Sequence, residues 1–258
     1  MTLTAQLLAW RKVIFALLLR ELQSKYNDKL GLGWAFIQPF AFIFILSVIR
    51  AFISGSEAHG VPVVIFMMIG MLGIQSFLVT INTVSGAIKK NRPLYAFRQV
   101  QPIASIITSG FLEFAIKSGV IFMLAISLYF MELTFPISDP LLLLLLYVGL
   151  WIFSISVSLL FSVAAAFVPE IDKIKAMLTR PLFFISCVFF SLQDVPEKYW
   201  GWINWNPIVH YIELARYACY EEYGHRGVSV EYAMMSALIA LFFSLAVYHI
   251  TWKKVLSR

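Results

Sequence analysis

Residues 141–168 read LLLLLLYVGLWIFSISVSLLFSVAAAFV, 28 residues without a charged side chain. The hydrocarbon core of a bilayer is about 30 Å thick, and roughly 20 apolar residues cross it as a helix. In lipid a lone segment must satisfy every backbone N–H and C=O internally, which a helix does and a single strand does not. This stretch therefore reads as a membrane-spanning helix. Its surroundings repeat the pattern. The chain of 258 residues is 60% hydrophobic and 13% charged, against about 25% charge in a soluble domain. That excludes an ordinary globular protein and predicts a single all-α integral membrane domain over residues 1–258.

Five further stretches complete six predicted transmembrane helices. They are Gly33–Ile53, Pro62–Val84, Ile103–Met131, Met177–Leu192 and Tyr232–Trp252, with Leu141–Val168 as the fourth of the six. The fifth, Met177–Leu192, is short. At 1.5 Å per residue its helix covers only ~24 Å, so either its flanks finish the crossing or it is re-entrant. The N-terminus does not read as a cleavable signal, because Arg20, Glu21, Lys25 and Asp28 follow Val13–Leu19 where a small-residue cleavage site would stand. The two cysteines, Cys187 and Cys219, have no spacing that suggests a disulfide or a metal site.

Lys and Arg set the orientation. Fifteen of the 20 fall in the N-terminal segment, the loops after spans two and four, and the C-terminal tail; four fall on the opposite side, and Lys117 lies within span three. The chain is therefore expected to be multi-pass with both termini cytoplasmic. This rule accounts for the net charge of +6 without a nucleic-acid partner.

Several segments carry candidate function. Trp10, Ile14, Leu18 and Leu22 form an apolar row beside Arg11 and Lys12, the pattern of an amphipathic helix lying in the membrane interface. It serves as an anchor, or also docks a cytoplasmic partner or an anionic lipid. Trp34 suits the headgroup level, and Phe36, Phe40 and Phe44 share a helix face, for packing or for contact. The loop SGAIKKNRPLYAFRQVQP (85–102) is basic with Tyr95 and Phe97 in its middle, and Pro93 suits the start of a short helix. VPEIDKIKAMLTRP (168–181) opens with Pro169, Glu170 and Asp172, as a helix N-terminus favours. Each loop is a solvated basic loop or a docking element. Glu113 and Lys117, at i and i+4 within span three, are a packing pair or a functional one.

On the outer side, Phe183, Phe184, Phe189, Phe190, Tyr199, Trp200, Trp202, Trp205, Tyr211, Tyr217 and Tyr220 build an aromatic belt. Such rings anchor at headgroups or stack on sugars. Asn206–Pro207 reads as N-cap and first turn of a helix of about 15 residues. Its apolar stripe is Ile208, Ile212, Ala215 and Cys219, with Glu213 and Arg216 on the neighbouring face, a weak ion pair if exposed. This predicts an amphipathic helix on the outer membrane surface. No phosphate-binding loop, dinucleotide fingerprint or zinc-protease motif occurs. No catalytic, cofactor-binding or metal-binding set stands out, so any ATP site must lie on another chain.

The segments LLLRELQSKY…LGLGWAFIQPF, KKNRPLYAFRQVQPI and RPLFFISCVFFSLQDVPEKYWGWINWNPIVHYIELAR resemble the membrane-spanning subunit of bacterial ABC transporters that export capsular polysaccharide, the KpsM type. The resemblance covers nearly the whole chain. It implies an inner-membrane permease that pairs with a second copy of itself and with two copies of a KpsT-type ATPase, which would hold ATP and Mg. The cargo would be a lipid-linked acidic polysaccharide. A periplasmic co-polymerase and an outer-membrane channel are further implied partners.

The resemblance also assigns roles. Residues 1–32 would hold the cytoplasmic interface helix, 33–192 spans one to five, 193–231 the periplasmic gate segment and 232–258 span six and the tail. Lys89, Lys90, Arg92, Leu94, Tyr95, Glu170 and Asp172 would couple to the ATPase. Trp34, Phe36, Phe40, Phe44, Phe183, Phe184, Phe189 and Phe190 would line the channel or touch glycan. Tyr199, Trp200, Trp205, His210, Tyr211, Glu213 and Arg216 would form the gate, and Arg20 and Lys25 would meet the glycolipid headgroup. The same fold would also suit an O-antigen or teichoic-acid exporter. A reading from another class is an ion-coupled carrier or membrane enzyme built on Glu113 and Lys117.

Overall fold

Residues 63–85 carry no charge and are apolar over most of their surface, and such a helix belongs inside a bundle. The structure, a computed structural model, describes residues 3–26, 31–55, 57–97 and 100–257. In chain order it contains α1 (Leu3–Tyr26), α2 (Gly31–Ser54), a two-residue hairpin of β1 (Glu57–Ala58) and β2 (Val61–Pro62), α3 (Val63–Ser85), α4 (Ala87–Lys90), α5 (Pro102–Phe130), α6 (Pro140–Phe167), α7 (Ile171–Ile185), α8 (Pro207–Cys219) and α9 (Val230–Ser257). The apolar α3 is the central pillar, with Ile65, Met67, Met71, Ile74 and Ile81 fully enclosed. Around it pack α2, α5, α6 and α8, while α9 lies along α6 and α1 against α5.

Among the described residues, five helices are long and apolar enough to cross a membrane: Gly33–Ile53, Val63–Lys90, Pro102–Phe130, Pro140–Phe167 and Val230–Val255. They fall on predicted spans one to four and six. Their starts follow local rules. Pro102 and Pro140 occupy first turns, where the missing N–H costs nothing, and the Asp139 carboxylate accepts from the Leu142 N–H at 2.9 Å. The helices α2, α3, α5 and α6 alternate in direction, and α9 runs parallel to α6, their C-terminal residues Leu159, Val163 and Val255 meeting at one end. One end of the bundle, called here the terminal end, gathers Val84, Ile106, Leu159, Val163 and Val255 into a small apolar cluster. The far end carries the hairpin, the 131–139 turn and residues 186–229. There His59 on the hairpin meets Asp194 at 2.7 Å.

The predicted fifth span takes a different form. The helix α7 starts at Ile171 and stops at Ile185; its 15 residues cover ~22 Å, too little to cross alone. Residues 186–191 leave the helix, and Cys187 adopts a left-handed φ of 55°. Yet Ser186, Cys187, Val188, Ser191 and Leu192 are all buried. A buried, non-helical backbone needs partners from elsewhere in the fold, and those partners define the far-end site.

Candidate functional site

At the terminal end the two basic loops come together. After α4, Arg92–Ala96 forms a 3-10 turn with Pro93 in its first positions, as the sequence predicts. The turn is mounted from both sides. Asn91 is buried, donates to Ala87 O at 3.0 Å, and accepts from Arg20 Nη1 at 3.1 Å. Lys90 Nζ lies 3.0 Å from Glu21 Oε1 on α1, and the Tyr95 hydroxyl donates to Ser105 Oγ at 2.9 Å. Burial pushes the Tyr95 phenol up to about 12, so it stays neutral. Across the cleft, Lys175 Nζ donates to Ser85 Oγ at 2.7 Å and meets Asp172 at 3.2 Å.

Lys89, Arg92, Tyr95 and Asp172 thus share one cleft of about 390 Å³. Lys90 is drawn to the other side by Glu21. Leu94 is half-buried, and Glu170 is exposed at the start of α7. The outward face of the turn is Arg92, Pro93, Ala96 and Phe97, with Phe97 66% exposed. Tyr95 turns inward and Phe97 outward, a distinction that only the Ser105 contact reveals. Arg20, expected at a lipid headgroup, is exposed and places one guanidinium nitrogen on Asn91. The side chain of Lys25 lies outside the described residues.

The aromatic residues divide. Phe36, Phe40 and Phe44 are half-buried and packed on the core, with Phe40 and Phe44 stacked at 5.6 Å. A Cβ on Gly119 would come within 2.4 Å of the Phe36 ring, so this glycine is what lets α2 seat against α5. Trp34 is exposed. Phe183, Phe184 and Phe189 form a cluster with centroids 5.4–6.1 Å apart; Phe184 is exposed, while Phe190 packs against the core.

At the far end, Asn206 caps α8 as predicted, its side chain accepting from the Ile208 N–H at 3.1 Å. The helix itself is not the exposed surface helix that its polar residues suggest. Every residue from Ile208 to Leu214 is buried, and Arg216 is fully enclosed. Arg216 Nη1 donates to Glu213 Oε1 at 2.8 Å, and Nη2 donates to Val188 O at 3.0 Å and Phe66 O at 3.3 Å. The guanidinium carbon lies 3.5 Å over the Phe66 ring. Glu213 Oε2 accepts from Tyr223 at 2.8 Å and Ser191 at 3.1 Å. Asn206 Nδ2 donates to Ser186 Oγ at 2.9 Å. The ion pair is therefore buried, because it supplies the hydrogen bonds that residues 186–191 lack. Gly70 makes room: a Cβ there would lie 2.6 Å from Arg216 Nη2 and 2.9 Å from Val188 O. The sequence shows Glu213 and Arg216 but not Phe66, Gly70, Val188, Ser191 or Tyr223 as their partners.

The remaining gate candidates surround this buried knot. Tyr199 and Trp205 are exposed, and Trp200 Nε1 donates to Val195 O at 2.7 Å. Tyr211 is buried and donates to Ala233 O at 2.6 Å, tying α8 to α9. His210 Nδ1 accepts from the Ser229 N–H at 2.9 Å, leaving Nε2–H to donate to Asn204 O at 2.7 Å. That arrangement requires the neutral ring.

Burial holds the His210 pKa below its ordinary 6.5. The unfolded chain therefore binds a proton first as pH falls. His210 contributes full stability above 6.5 and loses it as pH drops from 6.5 towards the lowered folded value. Purified protein should show a falling melting temperature over this window, and His210→Gln should flatten that dependence. An unchanged pH slope in the variant would refute this role.

Comparison with known proteins gives the family. Residues 12–220 match the ABC-2 type transporter family. The chain is 35% identical over 234 residues to the polysialic acid transport protein KpsM of Escherichia coli, covering 90% of this chain and 91% of that one. It is 27% identical over 244 residues to the capsule polysaccharide export inner-membrane protein CtrC of Neisseria meningitidis serogroup B, covering 92% and 89%. To the capsule polysaccharide export inner-membrane protein BexB of Haemophilus influenzae it is 25% identical over 236 residues, covering 91% and 89%. The chain belongs to the ABC-2 type transporter family.

Proposed function

We propose that this chain is the membrane-spanning subunit of an ATP-driven exporter that moves lipid-linked acidic capsular polysaccharide across the bacterial inner membrane. The observation that carries this reading is near full-length similarity to three proteins whose names specify polysialic acid transport or capsule polysaccharide export. In it, two copies of the chain pair, and each binds one ATPase subunit that holds ATP and Mg. Both termini face the cytoplasm, which puts the basic terminal end against the ATPase. The exposed Arg92–Phe97 face on its braced mount supports that placement. The half-length α7 and its buried continuation complete the sixth crossing, and α8 with the segments around it forms the outer gate. The exposed Tyr199, Trp202 and Trp205 offer contacts to glycan or to a periplasmic co-polymerase.

The test is genetic. A strain lacking this chain should accumulate polymer inside the cell, with none at the surface, and the intact gene should restore export. Surface polymer at normal levels without the chain would overturn the proposal.

A further inference from the structure

Between α2, α3 and α5 runs a cleft of about 490 Å³, within the usual range of ligand sites. Its walls carry Gln38, Gln75, Thr83, Glu113 and Lys117, with Phe42 among the apolar residues between them. Thr83 lies two residues from the end of α3, and Glu113 and Lys117 lie eleven and fifteen into α5, so the cleft runs from near the terminal end past ~16 Å to ~22 Å along the helices. That reaches past the middle of a membrane. Glu113 and Lys117 are buried, whereas Gln38 is exposed and Gln75 and Thr83 are half-exposed. Asn82, beside Thr83, is exposed as well. Polar groups on spanning helices are costly against lipid and belong at a cavity that holds water or substrate.

The chemistry of the lining selects the occupant. Two amides and a hydroxyl both donate and accept hydrogen bonds, which matches sugar hydroxyls, themselves donors and acceptors. Phe42, Pro39 and Val79 offer apolar surface to the C–H faces of sugar rings. One carboxylate and one ammonium give the lining zero formal charge, so it does not grip the acidic groups of the polymer and leaves the sugar hydroxyls as its points of contact. A neutral, hydrogen-bonding wall holds a polymer weakly enough to release it, as conduction requires. We propose that this cleft is a glycan cradle in which Gln38, Gln75 and Thr83 hydrogen-bond the hydroxyls of the passing polysaccharide. The Glu113–Lys117 couple keeps the wall polar without net charge. The inference rests on the exporter reading above and names the part of the chain that touches cargo before the gate.

The test places the photocrosslinking residue benzoylphenylalanine at position 38 or 83 of the full chain, in cells that make and export polymer. Position 242 on α9, where Phe242 is 78% exposed, serves as control. Irradiation should give polysaccharide-bearing adducts at 38 or 83, absent at 242 and absent in cells that make no polymer. No adduct at either position would overturn the cradle and leave the exporter reading standing. Surface polymer in cells lacking the chain would instead overturn the exporter reading. Separately, Gln38→Leu, on an exposed face, should slow export about fivefold at unchanged membrane abundance, the effect of one lost hydrogen bond. An unchanged export rate in that variant would also count against the cradle.

Discussion

Arg216→Ala should remove most of the folded protein from the membrane. The guanidinium is fully enclosed and serves Glu213, Val188 O and Phe66 O at once. Its loss leaves a buried carboxylate without its counter-charge, at a cost of about 3–5 kcal/mol. Total stabilities of domains are only about 5–15 kcal/mol. Arg216→Lys should rescue little, because a single ammonium does not reproduce the planar fork that spans these acceptors. The double variant Glu213→Leu/Arg216→Met distinguishes an isolated pair from this arrangement. An isolated buried pair is replaced by apolar residues at little cost. Here the buried Val188 carbonyl, outside any helix, would lose its donor, and the Ser191 and Tyr223 hydroxyls their acceptor on Glu213, so the double variant should remain destabilised. Size-exclusion profiles and melting temperatures in detergent measure all three. A wild-type melting temperature for Arg216→Ala would refute the argument.

Phe97→Asp should separate the chain from its ATPase without unfolding it. The ring is 66% exposed on the outer face of the Arg92–Ala96 turn, so its replacement disturbs no core. Aromatic anchors at the centre of an interface contribute about 2 kcal/mol or more, roughly a 30-fold change in affinity. A carboxylate would add a desolvation penalty. The expected result is a chain at normal membrane abundance that no longer co-purifies the ATPase and leaves polymer inside the cell. Normal co-purification would remove Phe97 from the coupling face.

The five long spans were legible because each is a long, mostly apolar run with few charges, and the starts of α5, α6 and α8 because Pro102, Pro140 and Asn206–Pro207 are strong local signals. The break after α7 was not. PLFFISCVFFSL (181–192) reads as one apolar run with no glycine inside. What opens it is Arg216, whose contacts lie 28 and 150 positions away in the chain. For the same reason α8 looked like a surface helix. Glu213 and Arg216 normally mark exposure, and only their tertiary partners turn them into interior ligands. The 85–102 loop was legible as basic and aromatic, but which aromatic faces out depends on Ser105 catching Tyr95.

The grip of α1 on the turn beside α4 has a mechanical side. Arg20 and Glu21 are neighbours, and they clasp Asn91 and Lys90, also neighbours. Two adjacent clasps resist rotation as well as separation, much as two screws hold a plate where one would let it swivel. A push delivered at Phe97 is then not absorbed by a hinging loop. It would carry the 24-residue α1 with it, so the stiffness of this joint would set how much of such a push reached the spans.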